Sequence, residues 1–111
     1  MPAVLALLMI ATACGGAARA TPEPIKIGTL VPVSTIAAGQ WVSAMKAAAR
    51  EINGRGGIHG RQLEIENCDD HRDPNLAQAC ARKLVQDQVI ATAGSLTTLS
   101  MVEAPILDQA G

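Results

Sequence analysis

Aromatic residues are nearly missing from this chain of 111 residues, which holds one Trp and neither Phe nor Tyr. Any core must be assembled from Ala, Val, Ile, Leu and Met, and that suits closely packed layers of helix on sheet. An excess of one charge is missing too. Nine basic and ten acidic residues are interspersed for a net charge of −1, so the chain has neither the basic footprint of a nucleic-acid binder nor an acidic tail for a basic partner. The loop after the first strand candidate, "TLVPVSTIAAGQ", carries a single glycine, which excludes the G-x-G-x-x-G of a dinucleotide fold. No Ser/His/Asp or Cys/His grouping has the sequence context of a catalytic centre, so no enzyme activity and no cofactor are expected. Cys68, Asp69, Asp70, His71 and Cys80 match no tetrahedral zinc spacing, and no metal is expected. The length suits one domain, for which about 100 to 200 residues is usual.

What is present begins with "AVLALLMIATA", Ala3 to Ala13. This uncharged run is too short for a membrane span of about 20 residues and matches the apolar region of an export signal. Residues 1–20 are expected to be a signal peptide, the alternative being a buried N-terminal helix. Two processing sites compete. Cys14 follows Ala13 as a lipoprotein acylation site would, although Ala11 rather than Leu stands three residues before it; "ARA", Ala18 to Ala20, fits small-x-small cleavage and would leave Thr21 first. No Lys or Arg precedes the run, which points to a start codon further upstream. The product is expected to be exported, either periplasmic or lipid-anchored at the outer face of the cell membrane.

The remainder alternates strand and helix. "IKIGTLV" (Ile25 to Val31) is β-branched and stopped by Pro32, a strand. From Gly39 to Asn53, Trp41, Met45, Ala48 and Ile52 recur at helical spacing, and Asn53 and Gly54 are expected to end that helix in the left-handed conformation. "QLEIENC" (Gln62 to Cys68) alternates Leu63 and Ile65 with Gln62, Glu64 and Glu66, an edge strand buried on one face. Asp73 and Pro74 open the clearest helix, an N-cap followed by proline at the first position, with Leu76, Cys80 and Leu84 on one face. "VIATAG" (Val89 to Gly94) reads as a central strand, and Ser100 to Ala110 as a helix broken by Pro105. The order is βαβαβα. In such units a helix returns the chain to a parallel strand through a short loop, and the glycines of "NGRGGIHGR" supply the positive backbone angles. Asp69 and Asp70 read as a strand-end turn and His59 as a solvent-facing loop residue. The fold class is α/β: a partial doubly wound parallel sheet in order 2-1-3, with right-handed crossovers and helices on both faces.

Taken together, "IKIGTLVPVS", "EINGRGGIHGRQLEIENCDDHRDPNLAQACARKLV" and "ATAGSLTT" resemble the opening of the periplasmic leucine/isoleucine/valine-binding proteins, the type I solute receptors of ABC transporters. In that family an EIN-x-x-GGI-x-GR-x-[LI] stretch joins the first helix to the second strand, a D-x-x-x-DP segment opens the second helix, and a G-x-x-[ST]-[ST] loop follows the third strand. The resemblance covers Ile25 to Gly111. It implies a protein whose two α/β lobes close on a small solute and present it to a membrane permease. The expected function is the substrate-binding component of an ABC transporter for branched-chain amino acids or related small polar solutes such as amides or urea. A ligand-sensing receptor of the same fold and an inactive gene fragment are the alternatives. Family members are several-fold longer, so residues 25–111 are expected to be a truncated N-terminal lobe that binds no amino acid measurably by itself.

Ligands of open α/β sheets sit beyond the carboxyl ends of the strands. Those ends carry Ser34 and Thr35 after the first strand and Ser95, Leu96, Thr97 and Thr98 after the third. The resemblance implies that Thr98, with Ser95, Thr97 and Ser34, meets the α-carboxylate or ammonium of the solute; helix capping is the plainer role for the same hydroxyls. A disulfide between Cys68, at the end of the second strand, and Cys80, on the sheet-facing stripe of the next helix, is expected in an oxidising compartment. Strict alternation puts Cys68 on the row of Glu64 and Glu66, so the bridge is expected to need strand twist.

Overall fold

The structure, a computed structural model, describes residues 20–34 and 36–111. The apolar segment Ala3–Ala13, Cys14 and Thr35 lie outside the described residues. The elements are β1 (Ile25–Leu30), α1 (Ile36–Gly54), β2 (Leu63–Cys68), α2 (Pro74–Gln86), β3 (Ala91–Thr92) and α3 (Ser100–Asp108). The three strands form one sheet in the order β2-β1-β3, and both pairings are parallel. The expected α/β architecture and strand order therefore hold.

Each face of the sheet has its own core. On one, Val31 packs with Ala38 and Val42 of α1. On the other, Leu30 packs with Cys80 and Leu84 of α2, and Cys68, Val89 and Leu107 complete the cluster. The register sets Gly28 opposite Glu66 and Leu30 opposite Cys68, so the row of Glu64, Glu66 and Cys68 faces α2. Cys68 and Cys80 are joined by a disulfide, their Cα atoms 5.5 Å apart. The expectation that strand twist is needed is corrected: both faces are covered, and the row carrying Cys68 already points at the helix carrying Cys80.

The glycine-rich return is a miniature hairpin. Ile58 and Arg61 exchange two backbone hydrogen bonds of 2.8 and 3.0 Å, with His59 and Gly60 both at positive φ between them. Gly57, at φ +74°, lies so close to the returning chain that a Cβ there would stand 2.0 Å from the Arg61 carbonyl oxygen. The left-handed residues after α1 are thus Gly56 and Gly57, not Asn53 and Gly54. Asn53 has another task. Its side-chain amide donates to the Leu63 carbonyl at 2.9 Å and accepts from the Leu63 N–H at 2.7 Å, pairing with the first residue of β2 as a neighbouring strand would.

Helix faces differ from the expected stripes by about one residue. On α1 the buried residues are Ala38, Val42 and Ala49, while Trp41 is 50% exposed and Ala48 is exposed. Six of the 19 residues of this helix are alanine, and with Gly39 and Ser43 they put small side chains on every face, which leaves the apolar period without a unique phase. On α2, Ala77, Cys80, Ala81 and Leu84 are buried and Leu76 is exposed. The helix start is as expected: Asp73 Oδ1 accepts from the N–H groups of Asn75 and Leu76 at 2.8 and 3.0 Å. β3 shrinks to two exposed residues, and α3 runs through Pro105 to Asp108, because one proline removes a single helical hydrogen bond and this proline is exposed.

Candidate functional site

β1 lies between its two neighbours, α1 leaves on one face, and α2 and α3 occupy the other. The carboxyl ends of β1 and β3 therefore meet where the connections diverge, the place where open α/β sheets bind ligands. Two loops border it: Val31–Ser34 after β1 and Gly94–Thr98 after β3.

Side chains from β2 and its following turn hold the first loop. Asn67 Oδ1 accepts from Val31 N–H at 3.2 Å, and Asp69 Oδ2 accepts from Val33 N–H at 3.1 Å. Ser34 stands beyond these ties, exposed.

The second loop is tied to β1 and α1. Leu96 N–H donates to the Leu30 carbonyl at 2.9 Å, and Leu30 N–H donates to Ser95 Oγ at 3.2 Å. Ser95 thus extends the ladder by its side chain while keeping its own O–H free to donate. Gly94 turns the chain at φ +62°. Its carbonyl accepts from the Trp41 indole N–H at 2.7 Å and from the Thr29 hydroxyl at 3.3 Å. A Cβ at Gly94 would stand 2.9 Å from Met45 Sδ, so the turn sits directly against α1.

Thr97 is half-buried and points inward. Its Oγ1 lies 2.9 Å from Asp70 Oδ2 and 3.3 Å from Glu103 Oε1, and it accepts the Leu99 N–H at 2.9 Å. Asp70 and Glu103 are 0% and 1% exposed. Burial pushes the Glu103 carboxyl above the usual glutamate range, against a lowering contribution from the Thr97 hydroxyl and with a further rise from the neighbouring Asp70. Thr98 is exposed, and among the described residues its hydroxyl makes no hydrogen bond.

Of the four hydroxyls singled out by resemblance, the fold gathers Ser95, Thr97 and Thr98 on one loop and sets Ser34 on the other. Sequence reasoning missed the part that Trp41, Asn67 and Glu103 play in holding those loops, and it read Asp69 and Asp70 as a strand-end turn, which they form, without their ties to Val33 and Thr97. Asp70 carried a signal in its place just before a helix, whereas nothing local distinguishes Glu103 from a solvent-facing helical acid. Cys68 and Cys80 are bound to each other, and among the described residues no group of three or more His, Cys, Asp or Glu side chains is arranged to hold a metal ion.

Comparison with known proteins agrees with this topology. The family model described as periplasmic binding protein matches residues 24–111. The Leu/Ile/Val-binding protein of Escherichia coli K12 is 35% identical over 85 residues, 73% of this chain and 23% of that protein. An amino acid binding protein of Pseudomonas aeruginosa is 36% identical over 74 residues, 65% of this chain and 20% of its own length. Among solved structures, a branched-chain amino acid transporter substrate-binding protein from Streptococcus pneumoniae in complex with isoleucine superposes with a TM-score of 0.67 at 29% identity, over 78% of this chain and 26% of that one. The chain spans about a fifth to a quarter of the length of these relatives. By its sequence and by its parallel sheet, the chain belongs to the periplasmic binding protein family, with the Leu/Ile/Val-binding proteins among its relatives.

Proposed function

We propose that these residues form part of the solute-binding wall of an exported ABC-transporter receptor for branched-chain amino acids or related small polar solutes such as amides or urea. The solute would be passed to a membrane permease. Support comes chiefly from the loop after β3, where three hydroxyl residues follow the strand at the point of topological divergence, together with relatives solved with isoleucine and with leucine. In this reading the exposed Thr98 hydroxyl and the free O–H of Ser95 donate to the α-carboxylate, Ser34 approaches from the β1 loop, and Thr97 holds the loop in place. Residues 1–20 act as the export signal, with Cys14 as a lipid anchor if the lipoprotein route is taken.

Such a wall binds weakly when it faces open water. Each hydrogen bond offered by Thr98, Ser95 or Ser34 replaces one already made to water and contributes about 0.5–1.5 kcal/mol, and once the entropy lost on association is subtracted, two or three of them fall short of the roughly 4 kcal/mol of a millimolar complex. Calorimetry of the 111-residue chain with leucine, isoleucine or valine is therefore expected to show no binding. Amide NMR shifts at tens of millimolar leucine detect weaker contact. They should cluster at Ser34, Ser95 and Thr98 and fade in Thr98→Ala. Shifts located elsewhere, or none at saturating solute, would refute the placement.

A further inference from the structure

Thr97 has one proton to give and two buried carboxyl groups within reach. A hydroxyl donates once and accepts twice; one of its acceptor positions is taken by Leu99 N–H at 2.9 Å. Asp70 Oδ2 and Glu103 Oε1 then stand at 2.9 and 3.3 Å. Were both acids ionised, the single Thr97 proton could serve only one, and the other would remain an unpaired charge in a dry site, a state the protein escapes by binding a proton.

The partners decide which acid carries it. Asp70 is furnished as an anion: its Oδ1 accepts from Arg72 N–H at 2.9 Å, and its Oδ2 has Thr97. Besides Thr97, Glu103 has only the Asp70 carboxylate in hydrogen-bonding reach, a partner that it can use only as a protonated acid. Its Oε2 is buried without any hydrogen bond, which is tolerable for the carbonyl oxygen of a neutral acid and costly for a carboxylate. No cation compensates. The ion pairs among the described residues are Arg55 with Glu51, His71 with Asp69 and Lys83 with Asp87. The buried face of α2 offers Ala77, Cys80, Ala81 and Leu84, and the end of β1 offers Thr29, Leu30 and Val31. Among the described residues, Asp70 is the charged group that bears on Glu103.

We infer that Glu103 is a positioning residue held as a neutral acid: its O–H donates to Thr97 Oγ1, the Thr97 hydroxyl donates to Asp70, and these hydrogen bonds fix the Gly94–Thr98 loop between α3 and the turn that precedes α2. One proton closes the network, since every oxygen but Glu103 Oε2 is then used. Above the pH at which Glu103 ionises, the chain opens at Thr97 and the loop loosens. Because the folded protein holds this proton to higher pH than an unfolded glutamate with its ordinary value of 4.5, the associated stability is complete below that value and is lost as pH rises through the folded titration. That this loosening weakens solute binding rests on the function proposed above; the proton itself does not.

Carbon-detected NMR of the Glu103 carboxyl in the 111-residue chain tests the proton directly. Glu103 should titrate above 4.5, and the amide signals of Thr97, Thr98 and Leu99 should move with it. Glu103→Gln, whose amide N–H replaces the acid O–H, should keep the loop signals in place and remove their pH dependence. Across the same window the urea midpoint should fall with pH in the native chain and stay level in the variant, a difference of about one proton on unfolding. Titration of Glu103 at or below its ordinary value, or an equal pH slope in native and Gln chains, overturns the inference. Should Glu103→Gln fail to fold, the native carboxyl titration alone decides. Leucine-induced shifts at Thr98 that vanish at high pH only in the native chain would extend the effect to binding. Their absence at every pH, with the carboxyl displaced as expected, would count against the proposed function and leave the proton assigned.

Discussion

Trp41 and Gly94 meet across the sheet's carboxyl edge, the indole N–H donating to the glycine carbonyl at 2.7 Å while the tryptophan stays half exposed. Trp41→Phe keeps a ring against the turn and removes the donor, and Gly94 retains only the longer bond from Thr29. The expected loss is about 1 kcal/mol, read from urea denaturation. As Trp41 is the sole aromatic residue, its emission reports this turn alone.

Gly94→Ala should cost more than a typical surface change. The added methyl meets Met45 Sδ at 2.9 Å in a backbone conformation unfavourable to alanine, worth about 1 kcal/mol or more by itself. The methionine is flexible and can move aside, so Met45→Ala in the Gly94→Ala background should recover the steric part and leave the backbone part. Additive losses would show that the methyl never met Met45.

Gly57→Ala and Gly60→Ala should diverge sharply. Both glycines have positive φ, but a Cβ at Gly57 would overlap the Arg61 carbonyl whereas at Gly60 it meets nothing within 4 Å. Gly60→Ala is expected to cost about 1 kcal/mol, and Gly57→Ala to open the Ile58–Arg61 pairing altogether. Exchange protection at the Ile58 and Arg61 amides would distinguish them; equal protection in both variants would contradict the close approach.

Replacing Cys80 by Ala should lower stability by about 2–4 kcal/mol, the usual worth of a bridge closing a short loop, here with a sequence separation of 12. A reductant should lower the urea midpoint of the native chain and leave that of the variant unchanged. Two reactive thiols beyond Cys14 in the unreduced, unfolded chain would rule the bridge out.

Much of the fold was legible because its signals were local. Asp73 and Pro74 mark the start of α2 without any knowledge of neighbours, and the glycines around Ile58 announce a tight return. Phase and burial were less legible. With alanine, glycine or serine on every side of α1, periodicity could not reveal that Trp41 turns toward the β3 loop, and an acid in the first half of α3 carries no mark of being enclosed by Asp70 and Thr97, 33 and 6 residues away. Side-chain amides standing in for strands, as Asn53 and Asn67 do, are equally hidden, since the first depends on where β2 begins and the second on where β1 ends. For the candidate site the hydroxyls could be named in advance, but not their division between Thr98, which is open, and Thr97, which is engaged.

The ties that hold the two loops have a consequence for the thermodynamics of recognition. Asn67 of β2 grips Val31, Ser95 grips Leu30 of β1, and Thr29 of β1 reaches Gly94, so the two loops are fastened to neighbouring strands of a sheet covered by helices on both faces. A solute arriving here meets a surface whose conformational entropy has already been spent in folding, and the ordering cost of capture falls on the solute and on whatever closes over it. Selectivity at this wall is then a matter of fit to fixed donors rather than of loop adjustment.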